Sequence, residues 1–193
     1  MRLHSLMKPV PNILTVWRMA AVPVVIWALI VGEMDLAFWL FLAAGISDAV
    51  DGYVARRFQA RTALGSYLDP IADKALLVSA YLVLGYLGLL PVWLVILVVF
   101  RDLVIMGGVI LLHTLAHKVT MAPLAISRSN TVAQVGLVGL VLLGQILSED
   151  SLLAADRLLI QLLVYIVGLT TLVSGIAYVW IWGSRAMQAE QKS

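Results

Sequence analysis

The chain has 193 residues, of which 62% are hydrophobic and 12% charged, with a formal net charge of +2 and a mean hydropathy of +1.01. Soluble domains are nearer half apolar and a quarter charged, so this composition excludes an ordinary water-soluble core and makes the bilayer the solvent. The absence of cysteine excludes disulfides and thiolate chemistry, and the basic residues form no stripe of the kind that grips nucleic acid.

Six apolar runs follow one another, each near the roughly 20 residues a spanning helix needs. They predict helices over about 12–31, 36–57, 69–89, 91–113, 129–147 and 152–183. The runs are continuous rather than alternating, which favours helices over a β-barrel. Polar turns separate them: Gly32 to Asp35, the Gly88 to Pro91 step, and Ser148 to Ser151. Pro91 suits the first turn of a helix, whereas Pro23 lies inside the first run and is expected to kink it. The fold class expected is all-α: a polytopic membrane protein of six spans, forming a single domain over residues 1–193 with no internal repeat.

With six spans, Arg2, Lys8 and Arg18, then Arg56, Arg57, Arg61 and Lys74, then Lys118 and Arg128, then Arg185 and Lys192 all fall on one side. The other side carries Glu33, Asp35, Glu149, Asp150 and Asp156, with Arg157 as its one basic residue. The positive-inside rule puts both termini on the cytoplasmic face. The first run has no small-residue cleavage site, and no Arg- and Ser-rich transit segment stands before it. The expected location is therefore a bacterial inner membrane rather than a mitochondrial one.

The chemistry concentrates between Ser47 and Lys74, SDAVDGYVARRFQARTALGSYLDPIADK. Asp48 and Asp51 are three apart and Asp69 and Asp73 four apart, so each pair shares a helix face. The short connection between them makes the two helices antiparallel neighbours with all four acids at the cytoplasmic surface. Ionised carboxylates there cost several kcal/mol unless compensated, and four together repel one another. A divalent cation is the economical remedy. All-oxygen ligands suit magnesium or manganese, and four carboxylates can hold two such ions. Gly52 and Ala55, one turn after the two acids of the first pair, open a groove of nucleotide size, and Arg56 can meet a diphosphate through paired hydrogen bonds. Gly65 is expected in the connection, in a conformation with positive φ. The competing readings are helix-packing roles for Gly52 and Ala55 and positive-inside anchoring for Arg57 and Lys74.

The stretch from Asp48 to Asp73 reads D-x2-D-G-x2-A-R-x8-G-x3-D-x3-D, and it resembles the defining motif of the CDP-alcohol phosphatidyltransferase family with every fixed position filled. The resemblance implies six transmembrane helices and attack of an alcohol on the lipid-bearing phosphate of a CDP-linked donor, with CMP leaving. It implies metal ligation by Asp48, Asp51 and Asp69, a general base at Asp73 that also touches a metal, and nucleotide contacts from Gly52, Ala55 and Arg56. It also implies a homodimer.

The acceptor rests on other segments. Pro11 to Arg18 resembles the first helix of bacterial phosphatidylglycerophosphate and cardiolipin synthases. Asn12, Thr15 and Arg18 there fall on one stripe that can line the nucleotide end of the cavity, against helix capping by Asn12 and membrane anchoring by Arg18. Arg101 and Asp102 lie inside the fourth run, where charge must face a cavity or a partner. As neighbours on a helix they are not expected to face each other, and Arg101 is read as facing the acidic site or a substrate phosphate, against a structural ion pair. The Arg-Asp sequence, and Ser127-Arg128-Ser129-Asn130-Thr131 followed by Gln134, are similar to the eukaryotic-type cardiolipin synthases, with Arg128 where those have lysine. The expected reaction joins CDP-diacylglycerol and phosphatidylglycerol into cardiolipin and CMP. The alternative acceptor is glycerol-3-phosphate. Readings from other classes are a cation transporter, motivated by the same acids, and a structural membrane adaptor, for which Asp73→Asn would be silent.

Overall fold

The computed structural model describes the backbone of residues 10–58, 63–115, 125–147 and 153–190, and the side chains of residues 16–47, 74–108, 127, 129–147 and 158–181. The described residues form helices joined by short connections, with no strand among them. In chain order these are α1 (Val10–Val31), α2 (Met34–Phe58), α3 (Ala63–Tyr86), α4 (Val92–Leu115), α5 (Ala125–Ile146) and α6 (Leu153–Glu190).

Among the described residues the helices number six, as the apolar runs predict, but three expectations need correction. The third helix begins at Ala63 rather than near Asp69, so Gly65 is helical and not part of a turn. Its Ala-Leu-Gly-Ser start is tolerated because the turns that follow are mostly apolar and the helix is stabilised by packing on α1. The first helix begins at Val10, which puts Asn12 inside the first turn instead of at its cap. The sixth continues to Glu190, beyond the apolar run. The helical assignment of α1 runs unbroken through Pro23. The Ser148 to Ser151 turn lies outside the described residues.

Two helix ends are closed the same way. Gly32 has φ +89° and Gly88 has φ +73°. At the first, Glu33 N donates to Ala28 O (2.9 Å) and Gly32 N to Leu29 O (3.3 Å); at the second, Leu89 N donates to Leu84 O (2.9 Å) and Gly88 N to Gly85 O (3.1 Å). This is the left-handed glycine stop that satisfies the last carbonyls of a helix.

The chain divides into two compact units: Met1–Leu89 with Val138–Leu153, and Leu90–Leu137 with Ala154–Ser193. In the first unit α1 packs on both α2 and α3. Each helix buries one stripe at helical spacing: Ala21, Val25, Ala28 and Leu29; Ala37, Phe41 and Ala44; Leu76, Ala80, Tyr81 and Leu84. Alanines at five of these positions let backbones approach closely, which is how helices gain contact where hydrophobic drive between them is weak. In the second unit the buried stripes are Leu94, Val95 and Val98 of α4, preceded by Leu90 in the connection, Leu137 of α5, and Val164 and Val167 of α6. Each of these stripes turns polar within a turn or two: Arg101 and Asp102, Asn130 and Gln134, Thr171 and Ser174 are all buried.

Among the described residues, Ser129–Ile146 and Leu158–Ile181 are long and apolar enough to cross a membrane, and Val16–Val31, Met34–Ser47 and Lys74–Tyr86 are shorter apolar stretches. Large apolar side chains such as Phe100, Leu169, Ile176 and Trp180 stand exposed. In water such surface would aggregate; against lipid tails it is at home.

Candidate active site

All four aspartates of the motif lie on helical backbone, Asp48 and Asp51 in the last turns of α2 and Asp69 and Asp73 in the first turns of α3. Residues 59–62 alone join the two helices. Each pair therefore stands roughly two to three turns from the same short connection, at the joined ends of the helices. Both helices belong to the first unit and both pack on α1. The side chains of the four aspartates lie outside the described residues, as do those of Gly52, Ala55, Arg56, Asn12, Thr15 and Arg128. Among the described residues no group of histidines and carboxylates is arranged to hold a metal ion.

Arg18 is the one charged side chain in the described core of the first unit, with 0% of its surface exposed. A membrane anchor would keep its guanidinium at the surface, so the anchoring reading of Arg18 is corrected. A buried guanidinium needs anions or acceptors around it, and Arg18 does have an interaction partner.

The second unit contains a polar layer that ties three helices together. Arg101 of α4 donates from Nη1 to Asp102 Oδ1 (2.6 Å), from Nη2 to Ser127 Oγ of α5, and from Nη2 (3.1 Å) and Nε (3.4 Å) to Ser174 Oγ of α6. The expectation that Arg101 and Asp102 do not meet is therefore corrected: both are buried and form an ion pair. The long guanidinium stem folds back over its own helix, which brings together neighbours whose Cα–Cβ bonds diverge. Four of the five guanidinium hydrogens are directed at protein oxygens, which favours the structural pair over a contact with substrate.

One turn further along, Asn130 Oδ1 accepts from Thr170 Oγ1 (2.8 Å) and Thr171 Oγ1 (3.0 Å), while Gln134 Nε2 donates to Thr171 Oγ1 (3.2 Å). Ser127, Asn130 and Gln134 recur at i, i+3 and i+7 and so lie on one face of α5. Thr170, Thr171 and Ser174 form the matching patch on α6. Asn130 Nδ2 is buried without a hydrogen-bond partner. Sequence reasoning singled out the α5 residues only by resemblance and missed Thr170, Thr171 and Ser174 altogether. Their signal was available: three hydroxyls within five residues, in the midst of a largely apolar helix.

Beside this layer a cavity of about 410 Å³ lies between α4 and α6, walled by Leu97, Phe100, Val104, Leu172, Ile176 and Trp180 among others. Its lining is almost wholly apolar, and the stem of Arg101 passes Gly175 with Cγ 3.8 Å from where a β-carbon would stand. Arg101 and Thr171 also border it, with their polar groups engaged in the layer, so its walls suit hydrocarbon better than a nucleotide.

Comparison with known proteins bears on the same residues. The chain is 34% identical over 186 residues to a probable CMP-forming cardiolipin synthase of Drosophila melanogaster, covering 88% of this chain and 56% of that one. It is 31% identical over 195 residues to the CMP-forming cardiolipin synthase of Homo sapiens, covering 93% and 63%. It is 34% identical over 186 residues to a chloroplastic CDP-diacylglycerol–glycerol-3-phosphate 3-phosphatidyltransferase of Oryza sativa, covering 87% and 55%. The chain thus spans less than two thirds of the length of each of these relatives. The profile of the CDP-alcohol phosphatidyltransferase family matches residues 8–180, a stretch that takes in α2, α3 and all four aspartates. This chain belongs to the CDP-alcohol phosphatidyltransferase family.

Proposed function

We propose that this protein transfers a phosphatidyl group from CDP-diacylglycerol to a hydroxyl of phosphatidylglycerol, giving cardiolipin and CMP. The observation that carries the reading is the placement of Asp48, Asp51, Asp69 and Asp73 at the joined ends of two consecutive helices, inside the region matched by the family. Similarity to cardiolipin synthases over most of the chain supports phosphatidylglycerol as acceptor. Similarity to the rice enzyme named for glycerol-3-phosphate supports the second reading, in which the product is phosphatidylglycerophosphate.

In this reading Asp48, Asp51, Asp69 and Asp73 hold two divalent cations, magnesium or manganese. The donor set fits such ions, being all carboxylate in a chain without cysteine. When bound, the ions neutralise the diphosphate and the charge that develops on departing CMP. Asp73 takes the proton of the acceptor hydroxyl. The freed oxygen bonds to the lipid-bearing phosphorus as the bond from that phosphorus to the CMP oxygen breaks. Gly52 and Ala55 leave room for the nucleotide, Arg56 binds its diphosphate, and Asn12 and Thr15 line the nucleotide end. Arg128 faces the acceptor headgroup. Six membrane crossings, with the acids at the basic, cytoplasmic face, put these groups at headgroup depth, and a homodimer follows from the resemblance alone.

The test is CMP release by purified protein in lipid nanodiscs, with CDP-diacylglycerol and each acceptor in turn and the products weighed as lipids. Activity with phosphatidylglycerol that EDTA abolishes and magnesium or manganese restores supports the proposal. Activity with glycerol-3-phosphate alone overturns the acceptor. Metal flux without CMP release replaces the transferase with a transporter.

A further inference from the structure

We infer that the polar seam of α5 and α6 is a positioning device for the acceptor side of the reaction, an inference that rests on the proposed transfer and on the place given there to Arg128. Arg128 stands in the first turn of α5, the part of a helix that frays most readily. The seam flanks it on both sides. Ser127, immediately before it, accepts a hydrogen bond from Arg101, and Asn130, two residues after it, accepts from Thr170 and Thr171. Gln134 extends the same attachment by one more turn through Thr171. The backbone at Arg128 is thus held between two anchors on one helix face.

Stability alone does not explain this seam. Leucine and valine would pack the same face without burying polar groups, and replacing buried polar pairs by apolar residues is often neutral or stabilising. The seam even leaves Asn130 Nδ2 without a hydrogen-bond partner. What directional bonds supply, and apolar packing does not, is a single register between two helices. A one-residue rotation of α5 would break the bonds of Ser127, Asn130 and Gln134 together and swing Arg128 by about 100°. Thr171 is the centre of the device, bonded to both Asn130 and Gln134, and Ser174 ties it to the Arg101–Asp102 pair. These are positioning residues: Thr171 borders the apolar cavity, but its hydroxyl is engaged by Asn130 and Gln134.

The experiment measures CMP release by wild type, Thr171→Val, Thr171→Ser and Ser174→Ala in nanodiscs, varying each lipid substrate at saturation of the other, beside the thermal unfolding midpoint of each variant. Thr171→Val is expected to raise KM for phosphatidylglycerol about tenfold, while kcat and KM for CDP-diacylglycerol stay within about twofold of wild type. Thr171→Ser, which keeps the hydroxyl, is expected to restore the wild-type KM. Ser174→Ala shifts KM in the same direction by less, because Asp102 and Ser127 still hold the guanidinium. A lower unfolding midpoint with KM for phosphatidylglycerol unchanged, equal changes for both substrates, or failure of serine to rescue each overturns the inference. If Thr171→Val does not fold, Ser174→Ala and Thr170→Val decide by the same criteria. A wild type active on phosphatidylglycerol with flat variants removes only the seam's role. A wild type inert with both acceptors overturns the transfer and the inference together.

Discussion

The two units of this molecule place charge in an apolar helical protein in different ways. The first carries the four motif acids in one short stretch of chain, at the joined ends of α2 and α3, with Arg18 sealed in the core that α1 makes with both. The second distributes its polar groups over three helices and joins them through side chains far apart in sequence, Arg101 to Ser174 across 73 positions and Asn130 to Thr171 across 41. Acids gathered on two consecutive helices repel one another if they meet, and a bound cation would relieve that repulsion. A layer in which guanidinium, carboxylate, amides and hydroxyls bond to one another, with Asn130 Nδ2 left over, makes no comparable demand. The first arrangement is suited to chemistry and the second to holding helices in place.

That contrast predicts that the units respond to substitution in opposite currencies. Asp73→Asn changes one oxygen for an amide and removes a proton acceptor, so turnover is expected to fall by about a thousandfold or more. The thermal midpoint should hold, or rise as mutual repulsion is relieved. CMP release and an unfolding scan on the same preparation measure both. Retention of a tenth of wild-type turnover would put Asp73 outside the chemistry and erase the distinction between the units.

Arg101→Met is the mirror experiment. It removes the guanidinium from beside Asp102, 3% exposed, and breaking a buried pair from one side costs about 3–5 kcal/mol. Stability should fall sharply. Adding Asp102→Leu is expected to recover most of the loss, since removal of both charges also removes their desolvation cost. If the single variant is as stable as wild type but has lost activity, the pair belongs to the site and the second unit is chemical too.

The same contrast explains what could be read in the sequence. The helices were legible because six continuous apolar runs admit one interpretation in a bilayer. The placement of the four acids on two consecutive helices was legible because their spacing lies within single helices, so periodicity and a short connection suffice. The start of α3 was misread because Gly65 was taken as a turn former, whereas glycine costs a helix interior only about 1 kcal/mol and its neighbours outweigh that. The seam was not legible. Nothing local says that Thr171 lies against Asn130, and i, i+1 geometry argues against an Arg101–Asp102 contact. The long, bending arginine stem defeats that rule, and only packing of α4, α5 and α6 reveals it.

The smallest test of the comparison sets one glycine of each unit against the other. Gly88 closes α3 with φ +73° and has open space where a β-carbon would stand. Gly88→Ala therefore meets no clash and is charged only for its backbone conformation, about 1 kcal/mol. Gly168 sits in the middle of α6, where a β-carbon would stand 2.8 Å from Cζ3 and 2.9 Å from Cη2 of Trp93. Alanine gains about 1 kcal/mol of helix propensity there. It must also displace an indole that stacks on Tyr165 at 6.2 Å between ring centres, a contact worth about 0.5–1.5 kcal/mol. Trp93 is 46% exposed and free to swing outward, so the two terms nearly cancel and the midpoint should barely move. A larger loss at Gly168 than at Gly88 would mean that the Trp93 ring is fixed and that close apolar packing, as well as the polar seam, sets the register of α6.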